Sequence, residues 1–284
     1  MTTRLRCAID SATTVLAEAG IDSARYDAEE LAAHLAGTDR GRLTLLAAPD
    51  DTFFDRYGAT VAARSRRVPL QHLTGTAAFG PLTLSVGPGV FIPRPETEVM
   101  LEWATRQRLP KSPVIVDVCT GSGALALGLA RHWPDARVIG VDDSDAALGY
   151  ARRNATCTAV ELLHADATAP DVLCQLDGQV DLLVSNPPYV PDGTELEPEV
   201  LEHDPLHAVF GGPDGMTVIV AIVGLAQRLL RAGGRFAVEH DDTTSAMTCE
   251  LIRSTASFDD VVAHVDLTGR PRFVTARRAA AAHE

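Results

Sequence analysis

Val114-Ile-Val-Asp-Val-Cys-Thr-Gly-Ser-Gly-Ala-Leu-Ala126 opens as an apolar strand, breaks at a small glycine-bearing turn and resumes as a helix. Glycines there let the backbone turn tightly and approach a ligand, with helix N–H groups facing it. Gly121-x-Gly123-x-x-Ala126 also satisfies a relaxed dinucleotide fingerprint. Asp142, 21 residues after Gly121 and at the end of a second strand, is placed to hold ribose hydroxyls. The turn therefore points to a nucleoside cofactor without saying which, and a tight strand-to-helix turn with no ligand is the plainer alternative.

Strand–helix alternation continues outward from this stretch. Strands are expected at Val114–Val118, Arg137–Val141, Val160–Leu163, Val180–Ser185 and Arg235–Glu239, with a closing hairpin of Val261–Val265 and Arg272–Thr275. Helices are expected at Ala124–Arg131 and Ser144–Ala155, and at Met216–Arg231, which Gly233-Gly234 would stop. This order predicts an α/β fold, a mixed, mostly parallel seven-stranded sheet covered by helices on both faces.

Residues 1–75 instead show helical spacing at Arg4–Ala19, after Ser23 as a candidate cap, and at Phe53–Arg67. The basic cluster Arg64, Arg66 and Arg67 reads as a solvated helix end, with a binding patch as the alternative. The boundaries expected are a helical domain at 1–75, a β-hairpin connector at 76–93 around Gly80-Pro81, and the sheet domain at 94–284. The tail Ala279–Ala282 is expected to fray.

The chain of 284 residues carries a net charge of −13, which disfavours nonspecific binding to phosphate backbones or anionic membranes. Five scattered cysteines without CxxC spacing read as reduced thiols, and no cluster has metal-ligand spacing. Residues 1–6 lack a leader-like apolar run, and the longest apolar stretch, Val218 to Ala226, is far short of the ~20 residues of a membrane span. A cytoplasmic, metal-free protein is expected.

Asp181-Leu-Leu-Val-Ser-Asn186-Pro187-Pro188-Tyr189 closes the fourth strand, beside the first turn at the ligand-binding edge of such a sheet. Consecutive prolines remove two donors and leave rigid acceptor carbonyls. Asn186 adds an acceptor and Tyr189 a flat face. The set suits a planar NH2 group, its protons taken by the Asn186 side-chain oxygen and the Pro187 carbonyl, with Tyr189 stacked on its π face.

Together, Asn186-Pro-Pro-Tyr189 and Asp117-x-x-Thr-Gly-Ser-Gly123 resemble the class I S-adenosylmethionine-dependent amino-methyltransferases. Arg67-Val-Pro-Leu-Gln-His-Leu-Thr-Gly75, Phe79-Gly80 and Phe91-Ile-Pro-Arg-Pro-Glu-Thr-Glu98 narrow the resemblance to the HemK/PrmC family. It spans about residues 20 to 278, and the Gly211-Gly-Pro-Asp-Gly215 turn also fits. The resemblance implies methylation of the glutamine side-chain amide in the Gly-Gly-Gln motif of peptide chain release factors. It implies S-adenosylmethionine held by Cys119, Thr120, Gly121, Ser122, Gly123, Asp142, Asp166, Ala167 and Asn186. Asn186, Pro187, Pro188 and Tyr189 would bind substrate, with Asn186, Pro187 and Tyr189 catalytic. The partners implied are release factors, with no direct contact to nucleic acid and a monomeric enzyme.

The chain departs from the family at several points. Cys119 stands where glycine is usual, Ala167 where some members have an aromatic residue, and Glu239-His-Asp-Asp242 where Glu-x-Gly is common. Glu239 reads either as a helix cap or as cofactor-side support. Two rivals share parts of the pattern: an adenine-N6 DNA methyltransferase and a noncatalytic nucleotide-binding protein. Against DNA, the stretch from Asp181 to Asp204 holds seven acids and no Lys or Arg.

Overall fold

The computed structural model describes residues 2–280, which fall into two units: one up to Thr76 joined by Glu197–His203, the other holding Ala77–Leu196 and the chain from Asp204 onward. In the first unit, α1 (Thr3–Glu18), α2 (Ala24–Leu35), α3 (Asp51–Ser65) and the short α4 (Leu70–Thr74) bury Leu5, Ile9, Leu16, Leu31 and Val61. Thr2 and Asp50 cap α1 and α3 by accepting from Leu5 N and Phe53 N. Ser23 does not cap α2 with its side chain; its hydroxyl donates to Asp27 at 2.8 Å.

The solvated reading of the basic cluster is wrong for Arg64. Its guanidinium is buried, 2.7 Å from the buried Asp27 carboxylate and 2.9 Å from Glu199. Glu199 lies on α8 (Pro198–His203), the later segment that belongs to this unit. Two carboxylates far apart in sequence offset the desolvation of one cation, which local periodicity cannot reveal.

The second unit begins at Ala77, one residue into the hairpin of β1 (Thr76–Phe79) and β2 (Leu82–Ser85), which is followed by α5 (Pro95–Thr105). Its sheet is built from β3 (Val114–Val118), β4 (Arg137–Asp142), β5 (Glu161–His164), β6 (Val180–Ser185), β7 (Leu230–Glu239), β8 (Phe258–Val265) and β9 (Pro271–Arg278). The strand order is β5-β4-β3-β6-β7-β9-β8, parallel through β7, with β9 antiparallel to both β7 and β8. This is the mixed seven-stranded sheet expected. Alternate residues serve opposite faces, Val116 and Leu183 in one core cluster and Ile115 and Leu182 in the other. The covering helices include α6 (Ala124–His132), α7 (Asp145–Asn154), α9 (Thr217–Leu229) and α10 (Ser245–Ser254).

Two details differ from expectation. The helix α9 stops at Leu229, and Gly233-Gly234 lie inside β7, where the pairing with β6 shifts register. A Cβ at Gly234 would sit 2.9 Å from Arg231 O and 3.0 Å from Val180 O, so the glycine serves a bulge and not a helix stop. The helix α10 had no counterpart in the sequence reading. Of the expected frayed tail, residues 281 and 282 lie outside the described residues. Among those described, no helix is long and apolar enough to cross a membrane, and no cluster of His, Cys, Asp or Glu is arranged to hold a metal.

Candidate active site

The two motif turns lie side by side. Val118 pairs with Val141 on one side and Ser185 on the other, and the Ser185 hydroxyl donates to Val118 O at 2.7 Å. The ends of β3, β4 and β6 therefore present their turns along one edge.

In the first turn, Cys119, Gly121 and Gly123 have φ of +59°, +57° and +86°. Thr120 donates its hydroxyl to Asp117 Oδ2 at 2.6 Å, and Ala126 N donates to the same oxygen at 2.9 Å. Asp117 thus caps α6 from inside the sheet, and burial pushes its carboxyl up to about 7. Thr120 is committed to the protein throughout: its hydroxyl goes to Asp117, its N–H donates to Val141 O at 3.0 Å, and its carbonyl accepts from Gly123 N at 2.9 Å. Asp142 accepts from Gly121 N at 2.8 Å and Ser144 N at 3.0 Å. Burial raises its carboxyl, and those two N–H groups oppose the rise. A Cβ built on Gly121 would meet nothing within 4 Å, and the buried Ser122 Oγ has no hydrogen-bond partner. Asp166 is exposed and accepts from Thr168 N and Thr168 Oγ1, both at 2.7 Å, while Ala167 is half-buried against the core.

The second turn is held by residues that sequence alone did not connect. Asn186 Nδ2 donates to Thr97 Oγ1 at 3.1 Å, and Thr97 donates to Glu239 Oε2 at 2.8 Å. Tyr189 OH donates to Glu239 Oε1, also at 2.8 Å. Among the described residues, neither Asn186 Oδ1 nor the Pro187 carbonyl accepts a hydrogen bond. Both remain available as acceptors at the edge. Glu239, 1% exposed, does not cap a helix: its two oxygens accept from Thr97 and Tyr189, and through Thr97 it supports Asn186. Burial pushes its carboxyl up to about 7 against those two hydroxyl donors and the Arg272 charge.

The main chain of this turn rests on the Gly211–Gly215 segment. Val190 N donates to Val209 O and Gly211 N to Val190 O, forming a short parallel bridge. A Cβ on Gly211 would lie 2.6 Å from Pro188 O, and one on Gly215 would lie 2.2 Å from Tyr189 O. The Pro188 carbonyl therefore faces the supporting turn, unlike that of Pro187. Of the seven acids between Asp181 and Asp204, three are paired internally: Asp181 with Arg231, Glu199 with Arg64, and Asp204 with Arg94. Asp192, Glu195, Glu197 and Glu202 are exposed.

Residues 8–75 match the family model of the PrmC N-terminal domain, and residues 95–204 match that of the methyltransferase small domain. A release factor glutamine methyltransferase of Mycobacterium tuberculosis is 68% identical over 278 residues, covering 96% of this chain and 91% of that protein. The chain belongs to the release factor glutamine methyltransferase family. The Mycobacterium leprae member is also 68% identical, over 98% of both chains. A solved methyltransferase from Pyrococcus furiosus, 16% identical, covers 72% of this chain and 92% of its own with a TM-score of 0.52. That likeness shows the shared methyltransferase fold. The positive φ at Cys119 is a conformation that glycine adopts without steric cost.

The residues present fit S-adenosylmethionine, the cofactor of this family. The open side of Gly121, the unpartnered Ser122 hydroxyl and the Asp142 carboxylate at the strand end offer room, a polar contact and a ribose acceptor. Asp142 and Asp143 also place carboxylates near the turn, which favours a cationic sulfonium.

Proposed function

We propose that this protein transfers a methyl group from S-adenosylmethionine to the side-chain amide nitrogen of the Gly-Gly-Gln glutamine in peptide chain release factors. The observation that carries the reading is the pair of free acceptors, Asn186 Oδ1 and the Pro187 carbonyl, in a chain 68% identical to a release factor glutamine methyltransferase.

An amide nitrogen is a poor nucleophile because its lone pair is delocalised into the carbonyl. Asn186 Oδ1 and Pro187 O accept its two protons, hold the NH2 group in one orientation and stabilise the positive charge that grows on it. Tyr189 presents its ring to the amide plane while its hydroxyl stays anchored on Glu239. S-adenosylmethionine, when bound by the Cys119–Gly123 turn, Asp142, Asp166 and Ala167, supplies an electrophilic methyl on a good leaving group. The first proton then leaves the N-methyl amide to water.

The helical unit up to Thr76 grips the protein substrate in this reading, and the enzyme acts as a cytoplasmic monomer without nucleic acid. The exposed acids Asp192, Glu195, Glu197 and Glu202 favour a basic protein segment over the phosphates of DNA. The test is transfer of labelled methyl to a release factor, to the same factor with its Gly-Gly-Gln glutamine replaced by alanine, and to duplex DNA. Label on the native factor alone is expected. Label on DNA would overturn the proposal.

A further inference from the structure

We propose that Glu239 and Thr97 are positioning residues that fix which end of the Asn186 carboxamide faces the substrate. This rests on the glutamine-amide reading above and deepens it. The two ends of an asparagine amide are nearly the same size, so packing alone does not choose between them. Only the oxygen end can accept a proton of the substrate NH2; the nitrogen end would set donor against donor.

The hydrogen-bond directions follow from one charge. An ionised carboxylate can only accept, so Glu239 takes the hydroxyl protons of both Thr97 and Tyr189. With its single proton spent on Glu239, Thr97 Oγ1 can only accept from Asn186, which draws Nδ2 inward. Oδ1 is left facing outward. Thr97 stands in the first turn of α5, Glu239 at the end of β7 and Asn186 just after β6, so three elements converge on one amide.

The groups facing Glu239 are Thr97 and Glu96 from α5, Tyr189 from the turn after β6, and Arg272 from β9, with His240 next in the chain. The His240 ring bonds the Asp241 carbonyl through Nδ1 at 2.8 Å. When Glu239 takes a proton, one of its oxygens must donate or lose a partner. A proton donated to Thr97 turns the Thr97 hydroxyl toward Asn186 and favours the flipped amide. Burial sets this transition at about 7, so turnover should fall as pH drops through that value.

Thr97→Val removes the hydroxyl at nearly constant volume, and Thr97→Ser restores it. Hydrogen-bond partners that orient a metal ligand are worth about 10- to 100-fold, and a similar factor is expected for a partner that orients the Asn186 amide. Thr97→Val should lower kcat by about that factor, with little change in the Kd for S-adenosylhomocysteine or in Tm, and Thr97→Ser should recover most of the loss. Glu239→Gln, which can accept at only one of its two ends, should lower kcat and abolish the acid limb of the kcat–pH profile. Unchanged kcat in Thr97→Val, equal losses in Val and Ser, or a persistent acid limb in Glu239→Gln would overturn the proposal.

A readout without substrate separates this idea from the substrate assignment. The Asn186 side-chain amide resonances, identified by their loss in Asn186→Asp, should move in Thr97→Val and on acidification of wild type through pH 7. If wild type transfers nothing to the release factor, the substrate reading fails. These resonances then decide the positioning role alone: movement supports it, and unmoved signals overturn it.

Discussion

A single methyl at Gly215 should disable the reaction while sparing the fold. In Gly215→Ala the new Cβ would lie 2.2 Å from the Tyr189 carbonyl oxygen, with φ at +75°. A comfortable carbon–oxygen contact is about 3.3 Å, so the Tyr189 main chain must retreat by about 1 Å. The left-handed backbone costs an alanine about 1–2 kcal/mol and the overpacking about 1–3 kcal/mol more. A domain with typical stability survives that. A shift of that size next to the aligned acceptors should cost about 100-fold in turnover. Gly193→Ala is the matched control: φ is +80°, but a Cβ there meets nothing within 4 Å. Urea unfolding and single-turnover methyl transfer, measured on both variants, separate the two contributions. Gly215→Ala should lose about 100-fold in rate and Gly193→Ala only a few-fold. Equal losses in rate would refute the claim that the Gly211–Gly215 segment sets the position of the second turn.

Cys119→Gly removes the backbone strain of φ +59° and should raise unfolding stability by up to about 1 kcal/mol, read from urea midpoints. Asp117 has a folded carboxyl raised to about 7 from 3.8, so its contribution is full below pH 4 and is lost as pH rises to 7. In Asp117→Asn the decline of stability between pH 4 and 7 should therefore be shallower than in wild type, and an unchanged slope would show that Asp117 does not titrate there. Arg64→Ala leaves the buried Asp27 without its cation and should destabilise the helical unit by about 3–5 kcal/mol, seen as early loss of helical circular dichroism in urea.

The sheet was legible because its signals are local. Val114–Val118 and Val180–Ser185 are short apolar runs ending in turn residues, and the parallel order follows from their alternation with helices. The adjacency of the Cys119–Gly123 and Asn186–Tyr189 turns followed from that order. What sequence missed depends on partners distant along the chain. Thr97 and Glu239 are 142 residues apart, and nothing near either names the other. Arg64 sits at a helix end where a solvated cation is the ordinary reading, and only folding brings Asp27 and Glu199 to it. Gly233-Gly234 resembles a helix stop because a bulge and a stop both call for glycine. The inward turn of the Thr120 hydroxyl onto Asp117 is likewise invisible in a Thr-Gly-Ser-Gly string.

The most direct measurement of the central claim is the methylation of a release factor by wild type and by Asn186→Ala, read by mass spectrometry of the Gly-Gly-Gln peptide. S-adenosylhomocysteine binding is followed in parallel by calorimetry. The account predicts one methyl on that glutamine with wild type, and a loss of about 100-fold or more with Asn186→Ala while the cofactor product still binds. Methylation at wild-type rate by Asn186→Ala, or methylation elsewhere on the factor, would contradict it.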